Sequence, residues 1–187
     1  MIYVYTTADG KQYTAADGTL LVVGTLSLIE ELITDRTYSD VIRWRTLRDK
    51  GYANMTAEER AEWDTAQMKG AYNPPYDMNR VGAALNYLRE LLELAGYLPT
   101  GVFNAKTDWT AADIPTIEDL TKYLNCVSTI RDALSQFPTT PAAPKNLARL
   151  DYQEANNIEK ILLDVDRLIT NMSAALCYCG ELFSGEF

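Results

Sequence analysis

The stretch that decides the fold is Tyr152-Gln153-Glu154-Ala155-Asn156-Asn157-Ile158-Glu159-Lys160-Ile161-Leu162-Leu163-Asp164-Val165-Asp166-Arg167-Leu168-Ile169-Thr170-Asn171-Met172-Ser173-Ala174-Ala175-Leu176-Cys177-Tyr178-Cys179. Ile158, Leu162, Val165, Ile169, Met172, Leu176 and Cys179 recur in alternating steps of four and three. Ile161, Leu168 and Ala175 widen that seam into a stripe. This is the spacing of a helix packed lengthwise against other helices. Asp151 with Glu154 supplies the start signal.

Upstream, similar signals recur. Thr37 with Asp40 opens a helix expected to run to Lys50, with Gly51 as its stop. Thr56 with Glu59 is a capping box for a second, expected to end near Lys69 before Gly70. Asp77 is read as the cap of a longer helix reaching Gly96, with a seam of Met78, Val81, Leu85, Leu88, Leu92 and Ala95. Thr116 with Asp119 opens the next, with Ile117, Leu120, Leu124, Val127 and Leu134 inside, and the stretch from Pro138 through Pro141 to Pro144 stops it. Trp109, in the connection between these two, is expected to dock on the bundle and hold its loop.

Residues 1–33 read differently. Asp9-Gly10 and Asp17-Gly18 are turn signals between short β-prone runs, which predicts one or two hairpins. The expected fold class is therefore mainly α: an antiparallel bundle of three long helices plus two shorter helices, with a small N-terminal β-hairpin element. The expected organisation is a β-prone element over 1–33, a helical hairpin over 34–75, and a three-helix bundle over 76–187 with a Trp-anchored and a Pro-rich connection. Trp44 and Trp63 are the heaviest apolar groups of that hairpin.

Composition narrows the function. The net charge of −9 argues against binding nucleic acid through its phosphates or an anionic membrane surface. No apolar run approaches a membrane span. The N-terminus lacks a signal-type apolar core, so synthesis in a cytoplasm without export by the general secretory route is expected. The three cysteines, Cys126, Cys177 and Cys179, have no CxxC spacing and read as small core residues. The chain has no histidine, which removes histidine triads, histidine bases and histidine-bearing zinc sites. Neither a P-loop nor a dinucleotide fingerprint occurs. Glu58, Glu59 and Glu62, or Asp164 and Asp166, could in principle pair as glycosidase carboxylates. Their simpler reading is capping for Glu59, a first-turn charge for Glu58, and a solvated helix face for Asp164 and Asp166. No catalytic residue, cofactor or metal site is expected. Tyr3, Tyr5, Tyr13, Tyr72 and Tyr76 are the candidates for an interaction surface, since tyrosine offers contact area and a hydrogen bond together.

Four stretches together carry a resemblance. They are Ile33-Thr34-Asp35-Arg36-Thr37; Asn54-Met55-Thr56-Ala57-Glu58-Glu59-Arg60-Ala61-Glu62-Trp63 running to Met68-Lys69-Gly70-Ala71-Tyr72-Asn73; Asp77-Met78-Asn79-Arg80-Val81 with Lys106-Thr107-Asp108-Trp109; and Ala155-Asn156-Asn157-Ile158-Glu159-Lys160-Ile161-Leu162-Leu163-Asp164 with Ser184-Gly185-Glu186. Over residues 33–187 the chain resembles an uncharacterised helical module of tail-region structural proteins, fibre- or baseplate-associated, in phages and prophages of gut Firmicutes. That family brings no catalytic or ligand residues. The resemblance implies a virion component, not an enzyme, that contacts other tail proteins. It also implies a homo-oligomer with a trimer favoured. Residues 1–32 are the expected oligomer contact, because a lone hairpin is marginal and its strands can pair across chains. A receptor- or glycan-binding tail-tip protein, taking a host-surface glycan, is the alternative. A cell-wall-degrading enzyme is the remaining class.

Overall fold

A computed structural model describes residues 13–14, 20–21, 27–65, 68–97, 99–101, 104–147 and 150–183. The chain divides into two compact units, Met1–Glu31 and Leu32–Phe187. In the first, strands β1 (Tyr13–Thr14) and β2 (Leu20–Leu21) pair antiparallel, Tyr13 opposite Leu21, and helix α1 covers Ser27–Glu30. Most of the hairpin element expected over 1–33 lies outside the described residues.

The second unit is helical: α2 (Tyr38–Lys50), α3 (Ala57–Trp63), α4 (Asn79–Leu94), α5 (Ile117–Asp132) and α6 (Tyr152–Phe183). Helices α4, α5 and α6 pack on one another, as their seams require. Val81, Leu85, Leu88 and Leu92 of α4 meet Leu124, Val127 and Ile130 of α5 and Ile158, Leu162 and Val165 of α6 in a buried core. The α6 stripe is buried at Ala155, Ile158, Ile161, Leu162, Val165 and Ile169, with Leu168 half-buried at its edge. Met172 is half-buried and Ala175 exposed; the side chains of Leu176, Cys177 and Cys179 lie outside the described residues. Two seams shift in detail. Ala95 is exposed at the end of α4, and Ile117 stands 85% exposed at the start of α5, with Tyr123 and Cys126 completing the buried α5 face instead.

Three capping boxes form as read. Thr37 accepts from Asp40 N, Thr56 from Glu59 N and Thr116 from Asp119 N, and each carboxylate returns a bond to the cap backbone. At α6, Glu154 N donates to Asp151 at 2.8 Å and Asp151 N to Glu154 at 3.3 Å. Three helix boundaries differ from expectation. Helix α5 stops at Asp132, so Leu134, read as inside it, follows the helix and is half-buried. Helix α3 stops at Trp63 rather than near Lys69. Gly70, read as its stop, instead lies with its backbone against α2: a Cβ there would meet Asp40 O at 2.0 Å and Trp44 Cβ at 2.7 Å. Asp77 does not cap α4; it lies inside a wide helical turn, Pro74–Met78, that leads into the helix. Its carboxylate turns inward, as described below.

The long connection from 95 to 116 is bound to α4 at two places. Asn79 Nδ2 donates to Trp109 O at 2.9 Å, and Trp109 N donates to Asn79 Oδ1 at 2.8 Å. Asn86 makes the same pair of bonds with Ala105. Between them Gly82 gives the loop room, since a Cβ there would sit 2.7 Å from Lys106 O. Positions 79, 82 and 86 share one helix face by the three- and four-residue rule. Trp109 is 7% exposed, with Lys106 Nζ 4.2 Å from its ring centre. On the other side, Thr140 of the proline-rich connection donates to Asp164 at 2.8 Å, and Arg131 Nε donates to Pro141 O at 2.7 Å.

Leu162→Ala empties a fully buried position and is expected to lower the unfolding free energy by about 2–5 kcal/mol. Denaturant melts followed by circular dichroism check it; a change within about 0.5 kcal/mol, the usual range for surface positions, would place Leu162 outside the core. Gly82→Ala should destabilise rather than gain from helix propensity, because the added methyl meets the Lys106 carbonyl.

Candidate functional site

Between α2 and the first turn of α6 lies an open groove of about 800 Å³. Its walls come from α2, from the segment 69–74, from the start of α5, and from residues 147–152 leading into α6. Tyr38, Val41 and Trp44 face it from α2, Tyr72 from the segment after α3, and Leu150 and Tyr152 from the approach to α6. Helix α2 is polar over most of its surface and buries only Leu47. It is held by side chains at its edges. Trp44 stacks on Trp63 at 6.5 Å with planes 12° apart, Arg48 lies 5.0 Å over Trp44, and Arg43 pairs with Glu62 at 2.6 Å. Lys50 pairs with Glu59 at 2.5 Å.

Arg36 lines the groove and is 4% exposed. Its Nη2 donates to Glu159 Oε1 at 2.6 Å and to Asp77 Oδ1 at 3.0 Å. Arg80 Nη2 donates to the same two oxygens, at 2.9 and 2.7 Å. Two arginines and two carboxylates thus close a neutral buried ring. The other oxygens are also satisfied: Ile33 N donates to Glu159 Oε2 at 2.5 Å, and Asn73 N to Asp77 Oδ2 at 2.7 Å. Arg36 Nη1 donates to Ile33 O at 2.7 Å, while Arg36 Nε is buried with no hydrogen-bond partner among the described residues. Asn156 fixes the Arg36 backbone from α6, accepting from its N–H at 3.0 Å and donating to its carbonyl at 2.9 Å. Burial penalises the Arg80 cation, but Glu159 and Asp77 more than offset this and hold its pKa above the ordinary guanidinium value.

Above this ring sit Tyr72 and Tyr123, with their hydroxyls 2.5 Å apart. Arg36 lies 5.7 Å over the Tyr72 ring. Burial first, and the Glu159 charge second, push the Tyr72 hydroxyl well above the ordinary phenol range. Burial and the neighbouring Tyr72 do the same to Tyr123. These hydroxyls stay protonated and serve as structural bonds.

The remaining polar groups of the groove are mostly committed. Lys69 pairs with Asp35 at 2.6 Å, and Asp151 caps α6. Arg45 is exposed and makes no hydrogen bond or ion pair among the described residues. The five candidate tyrosines are not brought together by what is described. Tyr72 lines the groove; Tyr76 is 46% exposed on the turn before α4 and outside the lining. Tyr3 and Tyr5 lie outside the described residues, as does the side chain of Tyr13. Sequence reading missed Tyr38 and Tyr152, whose rings lie 6.5 Å apart, and the whole charge ring. A signal existed for Glu159, which falls beside Ile158 and one turn after Ala155 on the buried stripe of α6.

Asp164 and Asp166 correct the expectation of a solvated face. Asp164 is 2% exposed, bound by Thr140 and paired with Lys160. Asp166 is half-buried, and burial raises its pKa to about 6. Among the described residues no group of three or more Cys, Asp or Glu could hold a metal ion. No helix among them is long and apolar enough to cross a membrane.

Arg36→Met would leave Asp77 and Glu159 sharing one cation. It is expected to cost about 3–5 kcal/mol, the usual penalty for breaking a buried pair from one side. Combining it with Glu159→Leu should recover a large part of that loss in a double-mutant cycle; full additivity would dissolve the ring as a unit. The second prediction concerns pH. Asp166 binds its proton more tightly folded than unfolded, so its contribution to stability is present at low pH. That contribution is lost as pH rises from about 4, the unfolded value, through about 6. Asp166→Asn should therefore melt higher than the parent at neutral pH, with the difference shrinking toward pH 4.

No family model, curated protein or solved structure matches this chain.

Proposed function

We propose that this chain is a structural component of a phage or prophage tail, a fibre- or baseplate-associated spacer or adaptor that works through protein–protein contacts. The observation that carries the reading is the groove. Its polar groups are largely spent on internal bonds, so what it offers outward is aromatic and aliphatic surface with charge at the rim. Surface of that composition is what a protein partner covers. The ring of buried charges beneath it favours a fixed shape, which suits a spacer or docking module. The wording of residues 33–187, similar to tail-region modules, supports the place of action. The partners are other tail proteins and further copies of this chain. A trimer held largely through residues 1–32 is the form the resemblance favours. A glycan-binding tip remains the alternative role, with the tyrosines as its platform.

Particles purified from a lysate of the encoding strain, labelled with antibody to this chain and viewed by electron microscopy, test the reading. Label on tails is the expected result. Protein found free in the lysate and absent from particles would overturn it. Light scattering on the full chain at micromolar concentration should give the mass of a trimer, and a monomer would remove the oligomer from the proposal.

A further inference from the structure

The three long helices run in the same direction, rather than alternating as expected, because each connection between them doubles back. After α4 the chain returns along it, with Ala105 bound to Asn86 and Trp109 to Asn79. After α5 it returns again: Arg131 donates to Pro141 O, Thr140 donates to Asp164, and Leu147 and Leu150 share the groove with Leu120. All three C-terminal ends therefore lie at one end of the bundle, but at different heights. Arg80, in the first turn of α4, donates to Glu159 of α6. Both helices rise about 1.5 Å per residue, so Leu94, the last residue of α4, is level with about residue 173 of α6. Gly96 stops α4 there. Its φ is 76°, and Tyr97 N donates to Leu92 O at 2.8 Å. Helix α5 ends at Asp132, while α6 continues to Phe183. About ten residues of α6, roughly 15 Å, thus extend past the helices that cover its seam.

The seam does not stop where its cover does. Met172, Leu176, Cys179 and Phe183 keep the steps of four, three and four. Met172 is half-buried, and Ala175, on the edge of the same stripe, is exposed. The end of α4 is also open: its seam residue Ala95 is exposed, Leu94 is 64% exposed and Tyr97 50%. The α4 end and the projecting length of α6 make an apolar ledge with the spacing that takes one more helix.

The occupant follows from pattern, charge and direction. Steps of four, three and four read the same both ways. With Met172 of one α6 opposite Phe183 of another, Leu176 falls opposite Cys179, and every seam position meets a seam position. From Thr170 to Phe183 the only charged residue is Glu181, so two copies of a chain of net charge −9 approach there with least repulsion. Helices α4 and α5 fill the seam side of α6 below about residue 173, so a parallel neighbour would drive its own α6 into their ends. An antiparallel neighbour arrives from beyond those ends and stops against Leu94 and Tyr97. We infer that the projecting end of α6 pairs antiparallel with the same segment of a second copy of this chain, about a two-fold axis, each free end covering the α4 end of the other.

The pairing goes beyond the tail assignment and does not depend on it, nor on how many copies residues 1–32 hold together. An overlap of about three turns lies at the small end of specific interfaces. It therefore forms at high concentration, doubling whatever mass the dilute protein has.

The test follows the mass of the full-length protein by light scattering and sedimentation from micromolar to near-millimolar concentration. The mass should double across that range. Leu176→Asp puts a charge into the seam of each copy and should raise the midpoint concentration about tenfold or more. Ala175→Asp, at an exposed position, should act in the same direction. Both variants should melt like the parent when dilute, because this part of the seam is covered only on pairing. Leu94→Asp should also weaken the pairing, although it lies on a different helix. Constant mass, a tripling, or doubling untouched by Leu176→Asp would each overturn the proposal. Doubling weakened by the α6 variants but untouched by Leu94→Asp would overturn the antiparallel arrangement. A dilute Leu176→Asp protein that melts well below the parent would show the seam already covered within one chain, and would overturn it too.

Discussion

The helical unit is organised around Glu159. Its carboxylate has no exposed surface, so it must be satisfied entirely from within. The partners come to it on α6 from two separate places in the chain: Ile33 and Arg36 before α2, and Arg80 on α4. Asp77 completes the ring from the turn between α3 and α4. A fully buried charge cluster of this kind adds little net stability over an apolar substitute. What it does is penalise every arrangement in which one of its members is missing. The segment before α2, the turn before α4 and the first half of α6 are thereby fixed to one another in a single register.

That constraint explains how α2 stays in place. A helix burying one leucine cannot dock by its own hydrophobic face. It is delivered to its position by Arg36 at one end, and its far side is held by the Trp44–Trp63 stack and the pairs to α3. Because α2 is not pressed into the core, Tyr38, Val41 and Arg45 keep surface open to the groove beside the Trp44 edge, and the groove exists in the space left over. The groove is in this sense a product of how the charge ring holds the helix, not of a cavity cut into the bundle.

The bundle was legible from sequence because its determinants are local and repetitive. Capping boxes need only four consecutive residues, and the seams of α4 and α6 state their burial by spacing alone. The site was much less legible. Arg36, Asp77, Arg80 and Glu159 lie up to 123 positions apart, and ordinary rules assign each an exposed or capping role. Asp77 reads as an N-cap because its surroundings are those of one, and only the Asn73 and Arg36 contacts show that it faces inward. Asp164 was misplaced for a related reason. It lies next to the seam residue Val165, and the proline-rich connection that covers it comes from outside the helix. The early end of α3 was hidden because Gly70 reads as a helix stop, whereas its use is close contact with α2.

Three asparagines share one device. Asn79, Asn86 and Asn156 each bond both the N–H and the carbonyl of one residue in a neighbouring segment, Trp109, Ala105 and Arg36 respectively. Each carboxamide acts as a strand one residue long. The bonds it makes are to main chain, so they do not depend on which side chain the loop residue carries. The bracketed connection can therefore drift in sequence over evolutionary time while its path across α4 stays the same, so a surface built on it can change its specificity without the scaffold being redesigned.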